Sequence, residues 1–266
     1  MKKYSFTGVT KVVFGITLHQ IRAEVSFGAV IKGEIGGFVE KEENLNHDGD
    51  AWVSGDARVY GDARVYGDAW VSGNARVSGN AWVSGDARVS GDAWVSGNAR
   101  VSGNAWVSGD ARVYGDAWVS GDAWVSGDAR VSGDAWVSGD ARVYGDARVY
   151  GDARVYGDAW VSGDAWVSGD ARVYGDARVS GNARVSGDAS LMWISKIGSR
   201  NGTTTFFHSK LGIEVSCGCF LGTIERFTDK VEQTHGDNAH GKAYRLAIEI
   251  AKLRIDTNEE IPEVEA

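Results

Sequence analysis

The side chains best suited to chemistry lie near the C-terminus, outside a long internal repeat. Cys217, Cys219, His235 and His240 supply two thiols and two imidazoles, the kind of ligand set that holds a zinc ion. The Cys-x-Cys spacing is tighter than the gap of about two to four residues that zinc sites use. We therefore favour the alternative that both cysteines are small residues on one strand face, and we predict no cofactor.

A wider cluster adds Arg200 and Asp237 to these four residues. If the six side chains converged in one pocket, the C-terminal part of the chain would be a small-molecule binder or an enzyme. A catalytic base must lie within reach of the proton that it removes, so this hypothesis depends on how the surrounding elements place the side chains.

Most of the chain consists of a six-residue unit, here called the hexad, that repeats twenty-four times between Gly49 and Met192. Its sequence is Gly-(Asp/Asn)-Ala-(Trp/Arg)-Val-(Ser/Tyr), and a fixed short period predicts a solenoid. Ala and Val lie two residues apart, so on an extended strand they face a core while Trp or Arg faces outward. We expect strands of about four residues, joined by corners at which Gly adopts a positive φ.

Read as Ala-x-Val-x-Gly-Asp, the hexad resembles the repeat of left-handed parallel β-helices. In that family three hexads form one triangular coil, which implies about eight coils here. The predicted fold is mostly β: a left-handed parallel β-helix with an N-terminal β cap and a small C-terminal α+β unit. Acyltransferases with this fold use a His general base, but the hexads contain no His and no Lys. Hexapeptide acyltransferase activity is therefore the least favoured function.

A coil of this length places every eighteenth residue on the same face, so the outward residues form three ladders. We expect Trp52 to neighbour Trp70 and Trp106 to neighbour Trp124. We also expect all repeat alanines from Ala51 to Ala189, and all repeat valines, to point inward. The candidates for a binding face belong to the first ladder: Trp52, Trp70, Arg88, Trp106, Trp124, Arg142 and Trp160.

Two interpretations of the ladders stay open. Arg stacked on Trp contributes about 0.5–1 kcal/mol per exposed contact, so the ladders could serve to stabilise a solenoid with a thin core. Alternatively, they form an aromatic and cationic surface that binds a partner, because Trp and Arg are enriched at interface hot spots.

The flanks of the repeat differ from it in composition and predict further domains. Solenoid ends expose core and unpaired strand edges, so a cap is expected before the first hexad. After the repeat, we expect three strands at 193–198, 203–209 and 213–220, then a helix capped by Thr223 and a second helix begun by Asp237 or Asn238. The predicted domains are residues 1–48, an N-terminal β cap; 49–192, the repeat β-helix; 193–255, an α+β unit; and 256–266, an acidic flexible tail.

Charge and composition limit the classes of partner and the cellular compartment that the sequence predicts. The formal net charge is −8, and the nineteen Asp and thirteen Arg of the hexads account for −6 of it. Phosphate contacts need a basic stripe, so a protein partner is expected rather than nucleic acid. No apolar run is long enough to span a bilayer, and two closely spaced cysteines fit a reducing compartment. These features predict a cytoplasmic protein and leave its oligomeric state open.

Segments outside the hexads carry a second resemblance. Residues 36–45 (GGFVEKEENL), 197–201 (IGSRN), 217–223 (CGCFLGT) and 234–240 (THGDNAH) resemble those of uncharacterised bacteriophage and prophage proteins with the same hexads. This resemblance implies a phage-derived accessory protein inside the host cell, and it implies no reaction. We therefore predict a non-enzymatic scaffold or interaction protein that binds a host or phage macromolecule through its Trp/Arg ladders or its C-terminal unit.

Overall fold

The computed structural model describes residues 2–181, 183–187, 190–209 and 211–257. They belong to two compact units, Met1–Asp140 and Ala141–Ala266, and each unit contains hexads. Ala189, the last repeat alanine, and the part of the predicted tail after Thr257 lie outside the described residues. The domain boundaries expected from the sequence stay predictions.

The first unit begins with three strands, β1 (Tyr4–Val13), β2 (Ile16–Ala23) and β3 (Ile35–Val39). Its hexad strands are Trp52–Val53 (β4), Arg58–Val59 (β5), Arg64–Val65 (β6), Trp70–Val71 (β7), Arg76–Val77 (β8), Trp82–Val83 (β9), Arg88–Val89 (β10), Trp94–Val95 (β11), Arg100–Val101 (β12), Trp106–Val107 (β13), Arg112–Val113 (β14), Trp118–Val119 (β15), Trp124–Val125 (β16), Arg130–Val131 (β17) and Trp136–Val137 (β18).

Each hexad strand contains two residues, the Trp or Arg and the following Val, so the expected length of about four residues was wrong. Gly and Asp or Asn form the turn, and the Ala before each strand and the Ser or Tyr after it complete the period. Pairing between coils nevertheless extends past the strand: Trp94 N donates to Ala111 O and Ser96 N to Val113 O, both at 2.9 Å. Backbone pairing between coils therefore continues into the residues on both sides of each short strand.

Strands that are eighteen residues apart pair in parallel, which gives a parallel β-solenoid with three hexads to a turn. The twenty-four hexads of the sequence thus correspond to about eight turns. The expected neighbours are confirmed: Trp52 pairs with Trp70, and Trp106 pairs with Trp124. The three ladders of the first unit are β4-β7-β10-β13-β16, β5-β8-β11-β14-β17 and β6-β9-β12-β15-β18.

The inside of the coils is lined by Ala and Val, as predicted. Every repeat valine from Val53 to Val185 is at most 1 % exposed, and every repeat alanine that the structure describes is fully buried. The corners require glycine. At Gly103, for example, φ is +68°, and an added Cβ would lie 3.0 Å from Gly121 N in the next coil. A side chain there would meet both backbone strain and a close contact.

The strands before the first hexad continue one of these sheets. β1 and β2 pair antiparallel, β2 pairs antiparallel with β3, and β3 pairs in parallel with β5 through Phe38 and Arg58. A 3-10 turn at Glu42–Asn44 follows, and the Tyr4 hydroxyl donates to the Glu42 and Leu45 carbonyls at 2.9 and 3.1 Å. β3 therefore covers an edge of the β5 sheet that would otherwise be unpaired.

The second unit contains eight more hexad strands, followed by a small sheet and two helices. The hexad strands are Arg142–Val143 (β19), Arg148–Val149 (β20), Arg154–Val155 (β21), Trp160–Val161 (β22), Trp166–Val167 (β23), Arg172–Val173 (β24), Arg178–Val179 (β25) and Arg184–Val185 (β26). The remaining elements are Leu191–Ile197 (β27), Gly202–Ser209 (β28), Gly212–Cys217 (β29), Phe220–Thr223 (β30), Ile224–His235 (α1) and Ala239–Arg254 (α2).

The C-terminal sheet is an antiparallel meander in the order β27-β28-β29-β30. It has four strands where the sequence predicted three, because a turn at Gly218, with φ +60°, divides the segment expected as one strand at 213–220. Both helix starts are confirmed. The Thr223 side chain accepts from Arg226 N, and the Asn238 side chain accepts from His240 N and Gly241 N.

The helices pack on the meander through an apolar core. Phe206 and Val215 of the sheet meet Phe227 of α1 and Ile248 of α2, and all four are at most 4 % exposed. The meander also joins the last coils, because Arg178 N donates to the Thr205 hydroxyl at 3.0 Å. The sheet that carries the two helices is therefore hydrogen-bonded to the last hexads.

Candidate binding surface

The first ladder begins with a residue that solvent does not reach. Trp52 is 0 % exposed, and the Phe27 ring packs against it edge-on with centroids 5.5 Å apart. Gly36 also approaches closely, since a Cβ there would lie 2.7 Å from Trp52 Cζ2. The prediction that Trp52 belongs to an exposed binding face was therefore wrong: residues before the repeat cover it.

Further along the first ladder the side chains become exposed. Trp70 is half-buried and donates Nε1 to Ser54 Oγ at 3.0 Å. The Arg88 guanidinium lies 5.3 Å from the Trp106 ring centroid. Trp106 and Trp124 are 41 % and 42 % exposed, with centroids 5.5 Å apart. Four of the five first-ladder candidates in this unit therefore reach solvent.

The third ladder of the first unit is more uniformly exposed, and we call it the exposed ladder. Trp82, Trp118 and Trp136 are 39 %, 39 % and 41 % exposed. The Arg100 guanidinium lies between two of these rings, 5.5 Å from the Trp82 centroid and 4.8 Å from the Trp118 centroid. The members of the exposed ladder are Arg64, Trp82, Arg100, Trp118 and Trp136, and all five are exposed.

Sequence reasoning assigned no binding candidate to the exposed ladder. Its eighteen-residue spacing is the same as that of the first ladder, so spacing alone could not rank the two. What distinguishes them is whether residues from outside the repeat cover the first members. Trp52 is covered by Phe27, whereas Arg64 at the corresponding place is exposed.

Polar side chains border the exposed ladder on its two sides. At the corner before the strands, Asn80 Nδ2 donates to Asn98 Oδ1 at 3.0 Å, and Asn98 Nδ2 donates to Asp116 Oδ1 at 2.9 Å. On the other side, Trp136 Nε1 donates to Ser120 Oγ at 3.3 Å. An aromatic centre with a polar rim is the arrangement of a protein–protein interface.

A cavity of about 680 Å³ lies at the start of the exposed ladder, lined by Glu42, His47, Arg64, Tyr66 and Trp82 among others. Tyr66 packs edge-on against Trp82, with centroids 6.0 Å apart. His47 Nδ1 accepts from Lys3 N at 3.2 Å, and burial lowers the pKa of His47. The exposed ladder thus begins at a concave surface and not at a flat one.

The first-ladder candidates of the second unit are partly covered by their own neighbours. Trp160 is half-buried between Arg142 and Arg178, whose guanidinium carbons lie 5.2 and 4.8 Å from its ring centroid. Because the two arginines come from the coils on either side, both ring faces are occupied. The Trp160 ring is therefore less accessible than those of Trp106 and Trp124, while Arg142 itself is exposed.

The four candidate zinc ligands do not form a metal site among the described residues. The favoured alternative, two buried cysteines on one strand face, is wrong for Cys219, which lies in the turn between β29 and β30. Cys217 Sγ lies 3.1 Å from the Thr204 hydroxyl and 3.5 Å from the Tyr244 hydroxyl, and Cys219 is exposed. Burial, followed by the neighbouring Cys217, raises the pKa of Tyr244 to about 12. Within the described part of the chain, no three His, Cys, Asp or Glu side chains are grouped as a metal ion would require.

The other members of the C-terminal cluster have structural contacts. The rings of His235 and His240 lie 5.7 Å apart at the junction of α1 and α2. Arg245 donates to Asp237 Oδ1 at 2.9 Å and to the Gly236 carbonyl at 2.9 Å, which ties this junction to α2. Arg200 is exposed in the turn between β27 and β28. Tyr244 lies between Cys217 and His235, since its hydroxyl is 3.5 Å from Cys217 Sγ and its ring centroid is 5.7 Å from that of His235. Arg200 and Cys219 are exposed, so the six residues do not form one group.

Comparison with known proteins identifies the class. The YdcK Beta solenoid repeat matches fourteen overlapping segments that together run from residue 51 to residue 191, more than half of the chain. The chain therefore belongs to this family of β-solenoid repeat proteins. A comparison with curated proteins found no match. Among the helices that the structure describes, none has the length and apolar character needed to cross a membrane.

Proposed function

We propose that this β-solenoid is a non-enzymatic interaction protein that binds a protein partner through the exposed ladder. The observation that carries the proposal is the row of Trp82, Arg100, Trp118 and Trp136, in register on successive coils and all exposed. Aromatic surface on this scale is uncommon on a protein that has no partner.

The chemistry of the row favours a protein over other partners. Trp and Arg are the residue types most enriched at interface hot spots, and a polar rim surrounds them here. The hexads carry nineteen Asp against thirteen Arg, so the repeat as a whole does not offer the basic stripe that a phosphate backbone needs. The absence of His and Lys from the hexads argues against acyl transfer along the repeat.

Stacking within the ladder is the competing explanation for these side chains. Arg100 contacts two rings, and such contacts contribute about 0.5–1 kcal/mol each at exposed sites. The same stacking leaves about two-fifths of each Trp surface accessible. Because stacking and partner binding use different parts of the side chains, the two roles are compatible and can be separated by mutation.

The proposal also covers the origin of the protein and the role of its C-terminal unit. The resemblance of the hexads to left-handed parallel β-helices, and of the flanking segments to phage and prophage proteins, supports a phage-derived accessory protein. Such a protein would act in the host cytoplasm on a host or phage macromolecule. The C-terminal unit would then provide a second contact surface, and its Cys, His and Asp candidates would have no catalytic role.

The test exploits the fact that the hexads use Trp and Arg interchangeably. The double variant Trp118→Arg, Trp136→Arg changes the exposed ladder to a residue that the repeat already accepts. The matched control is Trp70→Arg, Trp94→Arg, at two half-buried positions on the other ladders. Wild type and both variants would be used to capture partners from host lysate, after circular dichroism has shown that each is folded.

We expect one protein to be captured by the wild type and by the control, and to bind the exposed-ladder variant at least about tenfold more weakly when purified. Equal binding of that protein to both variants would place the contact elsewhere. Turnover of an acyl-CoA by the purified chain would contradict the non-enzymatic proposal directly.

A further inference from the structure

The second unit contains a cleft that is distinct from the exposed ladder and from the Cys/His/Asp cluster. It has a volume of about 750 Å³ and lies between the last coils, β27 and the C-terminal end of α2. This size is within the range of about 300–1,000 Å³ that small-molecule sites occupy. We call it the aromatic cleft; the lining residues that matter below are Tyr156, Arg172, Tyr174, Trp193, Leu253 and Arg254.

Three aromatic rings form one wall of the cleft. Tyr156 and Tyr174 are stacked with centroids 5.1 Å apart and planes at 4°, and Trp193 meets Tyr174 edge-on at 4.2 Å. The two tyrosines occupy the sixth hexad position, which is Ser in most copies, and they are the only two such tyrosines that are eighteen residues apart. The wall therefore depends on a departure from the usual repeat at this place.

Exposure shows that this wall is open to a ligand. Tyr174 is 40 % exposed and Tyr156 is 36 % exposed, although each ring packs on the other. On the α2 side, Leu253 is 85 % exposed and adds an aliphatic surface. A flat apolar body can thus be covered by aromatic side chains on one side and by an aliphatic side chain on the other.

The charged residues among the described lining of the aromatic cleft are both arginines. Arg172 and Arg254 line it. The strand residue next to Arg172 on the preceding coil is a further arginine, Arg154. Of the described residues that line the cleft, none is Asp or Glu, whereas the chain carries a net charge of −8. Guanidinium groups recognise phosphate and carboxylate by paired hydrogen bonds, so this arrangement favours an anion.

From this combination we propose that the aromatic cleft binds a small aromatic anion, that is, a phosphate or carboxylate carried on a planar ring. The tyrosine wall and Leu253 hold the ring, and Arg254 holds the anionic group on the side of the cleft that Arg172 also lines. This site does not depend on the partner proposed for the exposed ladder, and no step of covalent chemistry is involved.

Titrations of the full chain with three probes separate the two parts of the recognition. The probes are 1-naphthyl phosphate, which has both ring and anion; 1-naphthol, which has only the ring; and inorganic phosphate, which has only the anion. We expect saturable binding of 1-naphthyl phosphate, measured by calorimetry, at least about tenfold tighter than either of the other two. 1-Naphthoate in a fourth titration distinguishes a preference for phosphate from one for carboxylate.

Variants assign the binding to the cleft. Arg254→Gln should weaken the binding of 1-naphthyl phosphate at least about tenfold, because a hydrogen bond to a charged group is lost. Tyr174→Ser should weaken it by a similar factor, and Ser is the usual residue at this hexad position. The matched control is Tyr144→Ser, which changes another exposed hexad tyrosine of the same unit that lies outside the cleft.

Three results would overturn the proposal. One is the lack of saturable binding of 1-naphthyl phosphate and 1-naphthoate to the wild type. A second is equal affinity for 1-naphthyl phosphate and 1-naphthol, which would remove the role of the arginines. The third is unchanged binding in folded Arg254→Gln and Tyr174→Ser variants, or an equal loss in Tyr144→Ser.

Discussion

Trp118 and Trp136 lie on successive coils of the exposed ladder with ring centroids 5.4 Å apart and planes at 72°. Their backbones are hydrogen-bonded neighbours, so the rings are held near the strand spacing of about 4.8 Å. Both offset-stacked and edge-on ring pairs fit such a spacing, and these two indoles adopt the edge-on arrangement. Each ring therefore supports its neighbour and still presents part of its surface to solvent, as the binding proposal requires.

The contrast between Trp52 and Trp118 gives the first prediction. Both occupy the fourth hexad position, where Arg is common, but Trp52 is 0 % exposed and Trp118 is 39 % exposed. Trp52→Arg should lower the free energy of unfolding by at least about 3 kcal/mol, because it buries a charge and removes a large apolar side chain. Trp118→Arg should cost less than about 1.5 kcal/mol. Denaturant unfolding measures both, and equal losses would contradict the burial of Trp52.

The coil length gives the second prediction. Deleting residues 91–108 removes one full turn of the first unit and leaves every later hexad on its original face. The shortened chain should unfold cooperatively, because solenoid stability is close to a sum of similar repeat and interface terms. Deleting residues 91–99 instead removes one and a half hexads and misplaces a corner. The nine-residue deletion should have the lower melting temperature by circular dichroism; the reverse order would mean that the turn is not eighteen residues long.

The corner glycines give the third prediction. Gly103→Ala must accept a φ of +68° and a Cβ at 3.0 Å from Gly121 N, so we expect a cost of roughly 3 kcal/mol. Gly15 also has a positive φ, +81°, but no described atom lies within 4 Å of its Cβ position. Gly15→Ala should therefore cost only roughly 1 kcal/mol. If the two variants unfold at the same denaturant concentration, then contact between the corners of neighbouring coils is not what excludes a side chain at Gly103.

Lys3 gives a prediction on pH. It is 3 % exposed, its Nζ donates to Ala51 O at 2.8 Å, and burial lowers its pKa to about 8. An unfolded lysine titrates near about 10.4, so between these values the folded state binds fewer protons and is stabilised as pH rises. From pH 7 to pH 9.5 the wild type should gain roughly 2 kcal/mol relative to Lys3→Met.

The pH range is chosen so that ionisation of the neighbouring Tyr4 does not contribute to the measured difference. Burial raises the pKa of Tyr4. The stability that its neutral hydroxyl contributes is therefore lost only above the pKa of an unfolded tyrosine, near about 10. Unfolding by urea at several pH values measures the difference between wild type and Lys3→Met. Parallel curves for the two proteins would show that Lys3 keeps an ordinary pKa in the folded state.

The parts of the structure that follow from the hexad were predictable from the sequence. The pairing of Trp52 with Trp70, the inward rows of Ala and Val and the glycine corners were all expected and are confirmed. The reason is that each copy meets nearly the same neighbours, so a local pattern determines the contacts between coils. The helix starts at Thr223 and Asn238 were predictable for a similar reason, because capping is a local interaction.

Contacts between segments that share no period were decided only by the tertiary structure. Phe27 and Gly36 bury Trp52, the turn at Gly218 divides a strand, and Cys219 is left exposed in that turn. The aromatic cleft likewise requires α2 to bring Leu253 and Arg254 next to Tyr174. The hexad specifies the direction of every repeat side chain, but the non-repeating segments decide which of these side chains stay exposed, because burial depends on packing between residues that are distant in sequence.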